Sequence, residues 1–314
     1  SIFLQAITKT NHYSGELETL REKKISDPYL GFIDIATQDI KDAASSFIPV
    51  YEKTNKQDGY VSIELPPSIA NDANASIVEA KNIYNKINMP NIMIKVPGTQ
   101  SGLKIFSELI IAGINVNITL LFDCDIYLQF ANTYIDALEK RNNNNEPIDH
   151  VASVASFFVS RIDTVADQMH DNPNLKGKIA VANAIKAYKG FKELFSGEKW
   201  ELLASKGAMP QRPLWASTST KNPDYSDILY VQELFANQTV NTLPEKTLLA
   251  FYDHGKTPIN IDNQKIQDAI STLDNLEKEG ISLQKITSQL LKDGLTAFEN
   301  DFNSLMESIE KYTN

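Results

Sequence analysis

Between residues 91 and 122 an amphipathic helix is flanked by two apolar, β-branched runs, and this unit constrains the fold more than any other feature. The first run, Asn91-Ile92-Met93-Ile94-Lys95-Val96-Pro97, ends at Gly98 and reads as a strand buried on both faces of a parallel sheet. Residues 101–112 then carry Leu103, Phe106, Leu109 and Ile110 as a helical stripe, with Gly113 as the stop. Residues 114–122 form a second long apolar strand. Strand, helix and strand within about thirty residues make a βαβ unit with a parallel pair.

Inside the second strand Asn115, Asn117 and Thr119 share one face, while Val116, Ile118, Leu120 and Phe122 share the other. In a barrel, polar inward residues near strand ends line the active site, although an edge strand with a wet face would alternate in the same way. Further strands are expected at 60–65, after the turn Asp58-Gly59, and at 151–159, 213–217 and 240–243. Amphipathic stretches lie between them. One carries Ile77, Ala80, Tyr84 and Ile87, a second Ile179, Ile185, Tyr188 and Phe195, and a third opens at Pro244-Glu245 and closes at His254-Gly255. This alternation implies an α/β barrel or a doubly wound sheet. No linker or repeat divides the 314 residues, so one domain over 1–314 is expected.

Lys95 is the first candidate for chemistry. A lysine in an apolar strand either snorkels to water or is kept there for use. A desolvated ammonium has a depressed pKa, and the resulting amine is the nucleophile that Schiff-base chemistry needs. Other signals are weak. No GxGxxG or Walker loop is present, and the four histidines are too scattered to suggest a metal site. His12 and His170 read as surface residues, His150 as the opening of a strand and His254 as a helix end. The Asn-rich stretch 141–146 reads as an exposed loop. A formal charge of −10 argues against nucleic acid and anionic membranes as partners. No signal peptide or membrane span is visible. The single cysteine, Cys124, excludes an internal disulfide and suits a reducing compartment, so a cytoplasmic location is expected.

Several of these segments carry a family likeness. Ile94-Lys95-Val96-Pro97-Gly98-Thr99, followed by Gly102-Leu103, resembles the active-site signature of transaldolases, as does Gly113-Ile114-Asn115-Val116-Asn117-Ile118-Thr119-Leu120-Leu121-Phe122. Ser153-Val154-Ala155-Ser156-Phe157-Phe158-Val159-Ser160-Arg161 and Arg212-Pro213-Leu214-Trp215-Ala216-Ser217-Thr218 resemble later strands of that family. Lys221-Asn222-Pro223-Asp224-Tyr225-Ser226-Asp227 and Thr239-Val240-Asn241-Thr242-Leu243-Pro244 extend the likeness through the last strand. It covers nearly the whole chain and is nearest the bacterial branch with a long mid-barrel insertion.

The resemblance implies a (β/α)8 TIM-type barrel in the class I lysine-aldolase superfamily. It implies transfer of a dihydroxyacetone unit from sedoheptulose 7-phosphate to glyceraldehyde 3-phosphate, giving fructose 6-phosphate and erythrose 4-phosphate in the pentose phosphate pathway. No metal or organic cofactor is implied, because the protonated imine is the electron sink. Sugar phosphates would be the partners, with oligomeric state left open. Residue by residue, Lys95 matches the Schiff-base lysine and Glu64 the carboxylate that acts through a water as general acid and base. Thr119 would help hold that water, and Asn117 would bond substrate hydroxyls. Ser156, Arg161 and Ser217 match the substrate pocket, Arg161 facing the phosphate as a bidentate donor, and Lys221 matches a second phosphate partner. The plain alternative for Arg161 is an ion pair with Asp163, and for Glu64 a solvated strand end. Two other functions stay open: a fructose 6-phosphate aldolase-like lyase that releases free dihydroxyacetone, and a non-catalytic remnant with a binding role.

One departure stands out. The family opens with an aspartate-bearing strand and a second strand ending in Thr-(Ser/Thr)-Asn-Pro-Ser, whereas Ser1-Ile2-Phe3 resembles the residues just after that Asn-Pro. About six barrel strands are therefore expected. The natural polypeptide is expected to start upstream or to be a truncated product, and the chain from Ser1 alone to fold poorly. Asp34, Asp39 and Asp42 read as the polar approach to a helix with Ile40, Ala43, Phe47 and Val50 and cannot replace the aspartate on this reading. Should the chain from Ser1 prove stable and fully active, Asp34 and Asp123 become the first candidates for its job.

Overall fold

Each of the six expected apolar runs forms a strand in the computed structural model, which describes residues 2–10, 12–257 and 259–313. In chain order the elements begin α1 (Ile2–Lys9), α2 (Ser14–Glu22), α3 (Pro28–Lys53), β1 (Val61–Glu64), a 3-10 turn at Pro67–Ile69, α4 (Ala73–Ile87) and β2 (Ile92–Pro97). They continue with α5 (Gln100–Ile111), β3 (Val116–Leu121), α6 (Cys124–Asn143), β4 (Ser153–Phe158), α7 (Ser160–Ala166), α8 (Ile179–Leu194), α9 (Glu198–Ala204) and β5 (Arg212–Ala216). The chain closes with α10 (Leu229–Glu233), β6 (Val240–Asn241), α11 (Glu245–His254), α12 (Asn263–Lys278) and α13 (Leu283–Thr313). Although no linker is visible in the sequence, the chain divides into two compact units, 1–96 with 294–314, and 97–293.

In the first unit β1 and β2 run parallel, with Val61 opposite Ile92 and Glu64 opposite Lys95. Asn91 sets the start of β2, its buried side-chain amide donating to the carbonyls of Ala44 and Gly59, each at 2.8 Å. Helix α3 starts at Asp27, whose carboxylate accepts from the Tyr29 amide at 2.9 Å, and at Pro28, whose fixed φ suits the first turn. It takes in Asp34, Asp39 and Asp42, which the sequence suggested lay before the helix.

In the second unit β3, β4, β5 and β6 pair in order, all parallel. The apolar alternation of β3 breaks near its end. Leu120 adopts φ +57°, and the register to β4 shifts between Ile118 and Leu121. Such a bulge re-aims side chains at a strand end at a cost of about 1–3 kcal/mol for a non-glycine residue. A strict two-residue period cannot foresee it.

Gly113 ends α5 as expected, at φ +81°. What packs on it was not foreseen. Arg141, expected in an exposed loop, lies in the last turn of α6 and is buried. Its guanidinium donates to the carbonyls of Ile111 at 2.7 Å and Pro147 at 2.8 Å and pairs with Glu146 at 2.5 Å. A Cβ on residue 113 would stand 2.8 Å from Arg141 Nη2. Gly113→Ala is therefore expected to cost about 1–3 kcal/mol through left-handed strain and displaced arginine bonds. Urea unfolding would read this as a lower midpoint at constant m, and an unchanged midpoint would refute the packing account.

Among the described residues, no helix is long and apolar enough to cross a membrane. Cys124 is a free, buried thiol that burial pushes up to about 12, which leaves it a poor nucleophile.

Candidate active site

The parallel register of the first unit brings Glu64 directly beside Lys95. Lys95 Nζ donates to Glu64 Oε1 at 2.6 Å, and the two side chains are 25% and 36% exposed. The lysine is thus ion-paired and partly wet, not the isolated desolvated ammonium expected from an apolar strand. Both side chains open into a cavity of ≈ 230 Å³ that is also lined by Ser62, Asp301 and the rings of Phe3, Phe32, Phe298 and Phe302. An amine and a carboxylate within hydrogen-bond reach are the parts that imine chemistry needs. Asp301, on α13, was not singled out from the sequence, because nothing local marks it as facing a lysine.

The second unit holds the other expected residues. Asn117 and Ser156 are buried on neighbouring strands, and the Ser156 hydroxyl donates to Asn117 Oδ1 at 2.7 Å. Thr119 is buried just before the bulge, and its carbonyl accepts the Gly98 amide at 2.7 Å. Ser217, at φ +56°, shares a 3.0 Å hydrogen bond with the Ser160 hydroxyl, while its carbonyl accepts the Ser160 amide at 3.0 Å. These bonds fix the start of α7 against the end of β5. Arg161, in the first turn of α7, places its guanidinium over the Phe158 ring at 5.4 Å from the centroid. Among the described residues it makes no ion pair, so its charge is available. Lys221 is exposed and donates to the Ser219 hydroxyl at 2.8 Å.

Asp163 is not a surface partner of Arg161. Two residues along a helix turn the side chain by about 200°, so Arg161 and Asp163 face opposite ways. Asp163 is buried and accepts the Ala180 amide at 2.7 Å and the Tyr230 hydroxyl at 2.9 Å. Burial outweighs these donors and pushes its carboxyl from 3.8 up to about 7. The folded protein therefore holds a proton that the unfolded chain releases. The stabilising share of this group is complete below about pH 4 and is lost as pH rises toward 7. Asp163→Asn is expected to flatten the fall in unfolding free energy across that window. Urea melts from pH 4.5 to 7.5 would test it, and an identical slope in the variant would sink the assignment.

Other sequence readings fall into place or fail. His254 does sit at a helix end, with Asp227 at 3.0 Å and Asp253 at 3.2 Å raising its pKa. His170, read as a surface residue, has a buried side chain that is 3% exposed. Neither candidate for the aspartate stands free: Asp34 pairs with Lys86, and Asp123 caps α6, accepting from the Asp125 and Ile126 amides.

Parallel strands joined by helical crossovers define an α/β protein of the TIM-barrel class. The comparisons with known proteins agree. The profile of the transaldolase/fructose-6-phosphate aldolase family matches residues 1–309, and the chain belongs to that family. It is 41% identical over 332 residues to the transaldolase of Trichodesmium erythraeum, covering 99% of this chain and 86% of that protein. It is 41% identical over 318 residues to the transaldolase of an Arthrobacter species, covering 99% and 85%. Transaldolase 2 of Streptomyces coelicolor is 40% identical over 316 residues, with the same coverage.

Proposed function

We propose that this chain is a transaldolase acting on sugar phosphates in the cytoplasm, moving a dihydroxyacetone unit from a ketose phosphate to an aldose phosphate through an imine on Lys95. Membership of the family supports the reaction class. The Lys95–Glu64 contact of 2.6 Å is the observation that carries the residue assignment.

In this reading the Lys95 ammonium passes a proton to Glu64, and the amine adds to the C2 carbonyl of sedoheptulose 7-phosphate. Glu64 returns the proton as the carbinolamine loses water, directly or through a water held by Thr119. The protonated imine accepts the electron pair when the C3–C4 bond breaks, the C4 hydroxyl passes its proton to the Glu64 carboxylate through the same water, and erythrose 4-phosphate leaves. The resulting enamine adds to the aldehyde carbon of glyceraldehyde 3-phosphate, whose oxygen takes that proton back from Glu64. Water then hydrolyses the imine, releasing fructose 6-phosphate and the free lysine. Asn117, coupled to Ser156, bonds the sugar hydroxyls, and Ser217 completes that set. Arg161 and Lys221 take the phosphate, Arg161 through its planar donor fork. The reaction so written uses no metal or organic cofactor.

Coupled turnover separates this from cleavage to free dihydroxyacetone. Consumption of fructose 6-phosphate that requires erythrose 4-phosphate is expected. Release of dihydroxyacetone without an acceptor would mark the chain as a lyase instead, and turnover of neither substrate would leave only a binding role.

A further inference from the structure

Helix α7 is held on its inner face by two matched carboxylates one turn apart. Asp163 Oδ1 accepts the Ala180 amide at 2.7 Å and Oδ2 the Tyr230 hydroxyl at 2.9 Å. Asp167, which closes the helix, accepts the Gly177 amide on Oδ1 at 3.1 Å and the Tyr225 hydroxyl on Oδ2 at 2.8 Å. Asp163 thus joins the first turn of α8 to α10, and Asp167 joins the turn before α8 to the loop after β5. Gly177 fits this arrangement, being at φ +70° with the Tyr225 ring 2.9 Å from where a Cβ would stand. Tyr225 lies four residues beyond Lys221 in the same loop, and within that loop the Thr220 hydroxyl donates to the Ser226 carbonyl at 2.7 Å.

We infer that the Asp167–Tyr225 bond is a positioning contact that sets the Lys221 loop against Arg161 on α7 and so tunes selectivity for phosphorylated sugars. The inference rests on the proposed roles of Arg161 and Lys221. Physically, a charge placed an ångström off loses much of a charge-assisted bond, whereas contacts to sugar hydroxyls on other strands are untouched. Asp163 and Tyr230 hold the helix itself, so their loss falls on stability. Asp167 and Tyr225 hold the loop, so their loss falls on the phosphate.

The test uses Tyr225→Phe, which keeps the ring over Gly177 and removes one hydroxyl, with Asp167→Asn as a second variant should the first fold poorly. KM for fructose 6-phosphate is expected to rise roughly five- to tenfold, the scale of one hydrogen bond, with kcat within about twofold. KM for unphosphorylated fructose should stay at its wild-type value. Equal change for both sugars, or none for either, overturns the positioning role. Arg161→Ala, measured alongside, separates two failures. If it discriminates between the sugars while Tyr225→Phe and Asp167→Asn do not, only the loop contact is refuted. If Arg161→Ala fails to discriminate, the phosphate assignment falls and the inference falls with it.

Discussion

Lys95→Ala is expected to abolish borohydride trapping of fructose 6-phosphate and to lower turnover by roughly 10⁴-fold or more, the scale on which removing a covalent nucleophile acts. In the wild-type protein, reduction in the presence of fructose 6-phosphate should add a dihydroxyacetone-sized or sugar-sized mass to the peptide containing Lys95. The substitution leaves Glu64 without its partner, but that side chain is more than a third exposed, so the fold should tolerate the loss. A variant that melts like wild type yet forms no adduct would separate chemistry from stability. Adduct mass on another lysine, or undiminished labelling of Lys95→Ala, would sink the assignment.

Arg161→Ala is expected to weaken fructose 6-phosphate by about 1.5–3 kcal/mol while barely touching unphosphorylated fructose. That corresponds to roughly a ten- to hundredfold rise in KM for the phosphorylated sugar. The guanidinium lies over Phe158 with no carboxylate partner among the described residues, so its removal breaks no ion pair. Equal losses on both sugars would show that the arginine serves packing on Phe158.

Much of the fold could be read from local pattern. All six strands, and helices α4, α5, α8 and α11, follow from apolar period, β-branched content and punctuation such as Gly113 and Asp58-Gly59, whereas α6, α7, α9 and α10 do not stand out in the sequence. The lysine was conspicuous because an apolar strand rarely carries one, and Asn117 because a polar residue breaks an apolar run. Less of the site was legible. That Glu64 stands directly opposite Lys95 depends on the parallel register between two strands separated by α4, which neither strand encodes alone. The bulge at Leu120 is invisible to a two-residue period. Asp163 looked like a neighbour for Arg161 because the two are close in sequence, yet packing buries one and exposes the other.

Arg141 and His170 make the same point: the sequence context of each polar side chain suggests water, yet each side chain is buried, and Arg141 bonds the Ile111 carbonyl thirty residues earlier in the chain. Composition and period specify where strands and helices form, because backbone propensity and amphipathicity act over a few residues. Pairing register, the buried face of a short helix such as α7 and the partners of a charged group are settled by long-range packing. There the desolvation of a polar group must be met by a donor or acceptor that only the folded chain supplies.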